Sequence, residues 1–276
     1  MTSASRLLEH DGSFPGFLCA VCEAINDRAA GQPVPRVRGA GSETGLFDEP
    51  ETIPRDDGRA RSLWLRLSAR AGAEAMRTLL EAFSSDVPGA DGAVAAMACR
   101  LWLEGERAFD DLSSPEAALL EKAACRTRAE AHHYTGITRF SELADGSWYA
   151  AIEPACDILP LIADHFAARF PAMRWAIEDR SRGRAVVHEP GAGWTLADGF
   201  RIAADGAALP GKGDGSDGEA PRADPPLSDS ERQLRAMWRG YFRSVSIRER
   251  ANPGLQRSHL PLKNRRHLTE FKPAEE

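Results

Sequence analysis

The chain has 276 residues, 42% of them hydrophobic and 28% charged, with a formal net charge of −6. That apolar fraction can fill a core, so wholesale disorder is excluded, and the length suits one large domain or two small ones. No apolar run reaches the roughly 18 residues of a membrane helix, and the first residues lack the apolar stretch of a signal peptide. Five cysteines without a disulfide-scaffold density fit a reducing interior, so a cytoplasmic protein is expected.

Residues 1–135 read as mainly helical. Positions 14–27 are apolar with few breakers, and Gly12-Ser13 before them offers a turn and a cap. The Gly/Pro-rich stretch 31–58 reads as loop. Helix formers dominate 60–70, 74–83 and 93–106. A capping hydroxyl at Ser113, Pro115 in the first turn and Glu116 start a further helix that runs to about Tyr134.

At Gly136 the period changes from helical to alternating. Runs at 137–143 and 148–152 flank Ala144-Asp145-Gly146-Ser147, a hairpin signal. Asp157 then caps a helix to Phe170, and a second hairpin follows at 174–178 and 185–188, with a further strand at 194–196. Hairpin, helix, hairpin over 136–203 predicts an antiparallel sheet with a helix on one face, hence an α+β fold. Positions 204–230 hold Gly, Pro, Asp and Ala with almost no large apolar residue, and read as a flexible linker. Ser228 and Glu231 then open a C-terminal helix, so 231–276 is expected to pack on the core as a basic helix and tail.

That tail changes how the net charge is understood. Positions 232–272 hold eleven Lys/Arg against Glu249 and Glu270, a net +9, which leaves −15 for the rest. Leu234, Met237, Trp238, Tyr241, Phe242 and Val245 form one apolar helix face, expected to dock, with Arg232, Arg235, Arg239 and Arg243 opposite. Together with Arg248, Arg250, Arg257, Lys263, Arg265 and Arg266 these are the candidate nucleic-acid-binding residues, a stripe suited to tracking phosphates. Only four basic residues are lysines, so the chain favours arginine generally and a plain solvated face stays open as the alternative.

On the 157–170 helix, a projection aligns Ile158, Ile162, His165 and Arg169 at the centre of the apolar face. A helix that turns His and Arg inward must give them partners. They are either a structural pair or part of a pocket with Arg139, Glu153, Asp157, Asp179 and Arg182, where His165 would donate a proton or contact a phosphate and Arg169 bind an anion. Other signals are weaker. Cys19-x-x-Cys22 has no second pair, and Glu130-x-x-His133 lacks a second copy, so no metal and no cofactor are expected. No phosphate loop or nucleophile elbow occurs.

The residues also resemble a family. Asp11-Gly12-Ser13-Phe14-x-Gly16-Phe17-Leu18, Gly136-x-x-Arg139-Phe140-x-x-Leu143 and Ile152-Glu153-Pro154-x-x-Asp157-Ile158-Leu159-Pro160-Leu161 carry the likeness. So do His165-Phe166-x-x-Arg169-Phe170, Asp179-x-x-Arg182-Gly183, and Tyr241-Phe242-x-Ser244-Val245-x-Ile247-x-Glu249-Arg250-x-Asn252-Pro253, with Pro261 and Leu268-x-Glu270-Phe271. These are similar to a bacterial family described only as DNA-metabolism or DNA-repair proteins with a domain of unknown function. The resemblance implies a neighbouring radical SAM protein of DNA modification or repair. Some members are fused to a uracil-DNA-glycosylase-like domain, and the end of this chain five residues after Phe271 predicts the free-standing form. It assigns no catalytic roles. The expected function is a DNA-repair or DNA-metabolism accessory that binds DNA beside a radical SAM partner, away from membranes. The alternative is an enzyme acting on a damaged base or nucleotide through the His/Arg/carboxylate pocket.

Overall fold

The structure, a computed structural model, describes residues 6–41, 49–109, 114–202, 208–209, 225–245, 252–260 and 262–271. It divides into two compact units, residues 1–130 with 155–157, and residues 131–154 with 158–276.

The first unit opens with a strand, β1 (Leu7–His10), followed by α1 (Phe14–Ala29), β2 (Arg36–Gly39) and β3 (Glu51–Thr52). The three strands form a parallel sheet in the order β2-β1-β3, with Leu8 facing Val37 on one side and Glu51 on the other. Parallel neighbours need a crossover, which α1 supplies between β1 and β2. This corrects the loop expected at 31–58, which holds two of the strands. They escape notice because each is at most four residues long and β2 alternates charge with Val37. The turn between β1 and α1 is tightly specified. Ser13 Oγ accepts from Gly16 N at 3.0 Å, and Asp11 Oδ1 accepts from Ser13 N and Oγ at 2.9 and 2.6 Å. A Cβ at position 16 would lie 2.1 Å from Asp11 Oδ1, so the close approach calls for glycine.

Three long helices complete this unit: α2 (Asp57–Phe83), α3 (Ala90–Glu104) and the first part of α4 (Pro115–Ile137). Helix α2 kinks at Gly72, whose φ of 69° leaves the helical region, which accounts for the two separate runs read from the sequence. Ser114 Oγ accepts from Ala117 N at 3.2 Å at the start of α4; Ser113 lies outside the described residues. The core gathers Leu8, Phe17, Val21, Leu67, Met97 and Leu101.

The second unit is α+β. Its sheet comprises β4 (Ser141–Glu142), β5 (Trp148–Ile152), β6 (Trp175–Asp179), β7 (Arg184–Glu189) and β8 (Gly193–Asp198), in that spatial order. Hairpins pair β4 with β5, β6 with β7 and β7 with β8. The expectation of a wholly antiparallel sheet is corrected at one place: β5 and β6 run parallel, Tyr149 opposite Ala176. The helix between the hairpins, α5 (Leu159–Arg169), is a crossover, and a crossover returns the chain in its original direction. Residues alternate strictly between faces. Trp148, Ile152, Trp175, Ile177 and Val186 belong to the α5 side, while Tyr149, Ala176 and Ala185 join Leu143 and Phe200 on the other.

Helix α5 starts with Ile158 at its cap position and no side-chain cap bond, so Asp157 does not cap it. Asp157 instead groups with the first unit, where its N donates to Ser84 O at 2.8 Å. The buried residues of α5 are Leu159, Ile162, Ala163 and Phe166, at helical spacing. His165 and Arg169 are exposed. The core face thus lies about a quarter turn from the line drawn through Ile158, Ile162, His165 and Arg169. Counting Ala163 and Phe166 as the stripe removes any need to bury a cation.

The linker expected at 204–230 falls mostly outside the described residues. Its end runs beside β4, where Leu227 bridges Leu143 and Ser228 N donates to Glu142 O at 3.0 Å. Helix α6 (Asp229–Val245) follows, with Ser228 Oγ accepting from Glu231 N at 3.0 Å as its cap. Short helices α7 (Pro253–His259) and α8 (Leu262–Arg265) come next. The facing of α6 corrects the docked apolar stripe. Leu234, Met237, Trp238, Tyr241 and Val245 are exposed, Met237 by 71%, whereas Glu231 and Arg235 are turned inward. Polar anchors decide this: Arg235 Nη2 donates to Ser141 Oγ at 2.6 Å, and Glu142 Oε2 accepts from Ser228 and Ser230. No helix among the described residues is long and apolar enough to cross a membrane.

Candidate functional site: two cavities joined at Arg139

Helix α4 ends at Ile137, where Thr138 Oγ1 donates to Tyr134 O at 2.7 Å. The chain then turns through Arg139 and Phe140 into β4, the short edge strand of the sheet. Two cavities of the second unit meet these residues, one on each face of the sheet, and Arg139 lines both.

The first, about 270 Å³, is lined by Arg139, Arg180, Arg232, Arg235, His267 and Tyr149, with Pro225–Leu227 on its rim. No Asp or Glu is among its lining residues. Three of the guanidiniums have carboxylate partners. Glu231 Oε1 accepts from Arg235 Nε at 2.9 Å, Asp229 pairs with Arg232, and Glu178 Oε2 lies 3.7 Å from Arg180 Nε. Tyr149 donates its hydroxyl to the buried Glu178 and accepts from Arg180 Nη2 at 3.3 Å. Burial and then the neighbouring Glu178 push the Tyr149 phenol upward, so it stays a neutral donor. His267 Nε2 lies 3.2 Å from Glu153 Oε1. The arrangement presents rigid donors to an anion.

The second cavity, about 400 Å³, is walled by Phe140, Trp148, Phe166, Phe170 and Trp175, with Arg139 and Arg169 as its cations. Phe140 lies edge-on to Phe166, Phe170 and Trp175, with ring centroids 5.4, 5.6 and 5.8 Å apart. Arg169 sits over the Phe170 ring at 5.5 Å. Among the described residues Arg139 bonds to the carbonyls of Gly136 and Thr138, and neither arginine has a carboxylate partner. Trp175 is 1% exposed, and its Nε1–H has no acceptor among the described residues.

Residues 90–270 match the model of a family described as a domain of unknown function, DUF4130. The chain belongs to that family. No curated protein and no solved structure matches the chain. Both cavities of this DUF4130 protein fall inside the matched stretch.

The seven candidate pocket residues do not share one cavity. Arg139 and Arg169 meet in the aromatic one. Asp179 and Arg182 form a separate pair at the end of β6, with Arg182 Nη1 2.7 Å from Asp179 Oδ2 and 3.2 Å from Pro154 O. Burial holds the Asp179 carboxyl above its ordinary value against the pull of Arg182 and of the Ser181 and Arg182 backbone donors. Glu153 holds the tail through Arg266 and His267. His165 is exposed, its ring edge-on to Phe166, and Asp157 belongs to the first unit.

Of the candidate nucleic-acid residues, Arg232 and Arg235 line the arginine cavity. Arg239 and Arg243 follow along α6 with no carboxylate partner among the described residues, Arg243 exposed. Arg257 donates to Pro253 O, and Arg265 lies over Phe271 at 4.8 Å. Arg248, Arg250 and the Lys263 side chain lie outside the described residues. Sequence reasoning missed Arg180, Tyr149, Glu178 and the aromatic walls. A signal was present: Phe140, Trp148, Tyr149, Phe166, Phe170 and Trp175 fall between positions 140 and 175, where a chain average of 7% aromatic residues would put two or three. Among the described residues no group of three or more His, Cys, Asp or Glu is placed to hold a metal ion.

Proposed function

We propose that the chain is a DNA-metabolism or DNA-repair accessory protein that binds nucleic acid through its second unit and works beside a radical SAM partner. The observation that carries the reading is the arginine cavity, with four guanidiniums and an imidazole, and no carboxylate among the described residues, at its lining. Phosphate is the anion that such a fork of fixed donors suits best. Arg239 and Arg243, without a carboxylate partner among the described residues, extend the charge along α6, and the resemblance to the DNA-repair family supplies the biological setting. The scatter of His165, Glu153 and Asp179 gives no comparable support to a catalytic His/Arg/carboxylate pocket.

Fluorescence anisotropy on single- and double-stranded DNA across a salt series tests the proposal. Affinity should fall steeply and linearly on logarithmic axes as salt rises. Absent binding at low salt, or binding indifferent to salt, refutes it. For the partner, retention of the radical SAM protein during co-purification in high salt is the expected result.

A further inference from the structure

The arginine cavity accounts for a phosphate but leaves the aromatic cavity on the other face of the sheet unexplained. We propose that this second cavity is a nucleobase pocket. It takes one unstacked base of a single-stranded DNA, while Arg139 and Arg169 engage the phosphates that flank it. The proposal rests on the reading of the second unit as a nucleic-acid binder and names what that unit reads.

Four observations converge. The cavity, about 400 Å³, has the size of a small-molecule site, and its walls are Phe140, Trp148, Phe166, Phe170 and Trp175. Base-on-aromatic contact is the common means of holding single strands, because every base has a π-face. Second, among the described residues no Asp or Glu lines the cavity, and its two guanidiniums have no carboxylate partner. The ligand must therefore be neutral inside and anionic at the mouth, which describes a nucleotide. Third, Phe140 lies edge-on to Phe166, Phe170 and Trp175, so the rings form a continuous apolar wall against which a base can pack. Fourth, Arg139 also lines the arginine cavity, so a backbone held there can continue to the aromatic one around the end of the short strand β4. Bases in a duplex are stacked and cannot enter without extrusion, so a single strand is the natural occupant.

The test uses the full chain and two probes of equal length: an oligothymidylate of about ten nucleotides, and the same backbone with abasic tetrahydrofuran sites. Anisotropy reads the affinity of each. The oligothymidylate should bind at least about tenfold more tightly, the factor expected of stacking worth about 1.4 kcal/mol. Phe170→Leu keeps the apolar volume and removes a ring; it should shrink that gap while leaving the affinity for the abasic probe unchanged. Equal affinities for the two probes overturn the base pocket and leave the phosphate reading standing. Binding by neither overturns both. Displacement of the oligothymidylate by an acidic phenylalanine peptide that binds more tightly also overturns it, in favour of a protein partner.

Discussion

The two cavities of the second unit hold the same cation in different states. In the arginine cavity Arg180, Arg232 and Arg235 each have a carboxylate partner that offsets part of their charge, the Arg235 pair turned inward and the Arg232 pair open to solvent. In the aromatic cavity Arg139 and Arg169 have no such backing among the described residues and carry their full charge to the surface. Counting arginines therefore measures neither affinity nor specificity. Backed guanidiniums place donors, whereas unbacked ones attract phosphate and release counterions.

The sharpest way to break this contrast is to remove a backed arginine. Arg235 and Glu231 are each about one-tenth exposed, so Arg235→Ala leaves a buried carboxylate alone and Ser141 without its donor. The loss should be about 3 kcal/mol of folding stability, read as a lower urea midpoint. An unbacked arginine should behave oppositely. Arg139→Ala or Arg169→Ala should leave stability within about 0.5 kcal/mol. Each should also flatten the logarithmic salt slope of DNA binding by about one. If the Arg139 variant loses stability instead, the contrast fails. A comparable but smaller effect is expected at the cap that orients α6: Ser228→Ala should cost about 1 kcal/mol by the same measurement.

The last prediction concerns what a backing carboxylate itself costs. Burial raises the Asp179 carboxyl above its unfolded value, so the folded protein binds that proton more tightly than the unfolded chain does. Its ionisation therefore disfavours folding, and stability from this site falls as pH rises from the ordinary carboxylate range through the raised value. The stability of the protein relative to its Asp179→Asn variant should decline over that window and level off above it, in urea titrations at stepped pH. A difference that instead grows with pH would show that Arg182 outweighs burial.

The sequence disclosed elements whose signals are local. Both hairpins, the Ser228 cap and the break at Gly72 follow from turn and capping residues that act within a few positions. Strands of two to four residues leave too little pattern to detect, which is why β1, β2 and β3 were not foreseen. Helix facing also escaped a projection. The projection centred on Ile158 and Ile162 puts His165 and Arg169 on the core face, whereas the buried small residue Ala163 marks where that face lies. On α6 the polar bonds of Arg235 and Ser230 leave five of the six residues of the apolar stripe exposed, a tertiary choice that no single helix encodes. The aromatic cavity draws its walls from the α4–β4 turn, α5, β5 and β6, so its residues become neighbours only after the crossover has folded.

The chain's route between its units has a practical consequence for dissecting them. It leaves the first unit after Glu130, returns for Ala155–Asp157 and leaves again. Those three residues are not idle: Glu130 accepts from Ala155 N and Cys156 N at 3.1 and 2.7 Å, and Cys156 Sγ lies 3.3 Å from Asp86 Oδ1. A fragment cut after Glu130 would keep that carboxylate and lose these two donors. The complementary fragment would carry the tripeptide with nothing to receive it. No single scission yields both units intact, so the intact polypeptide is the proper object for every measurement above.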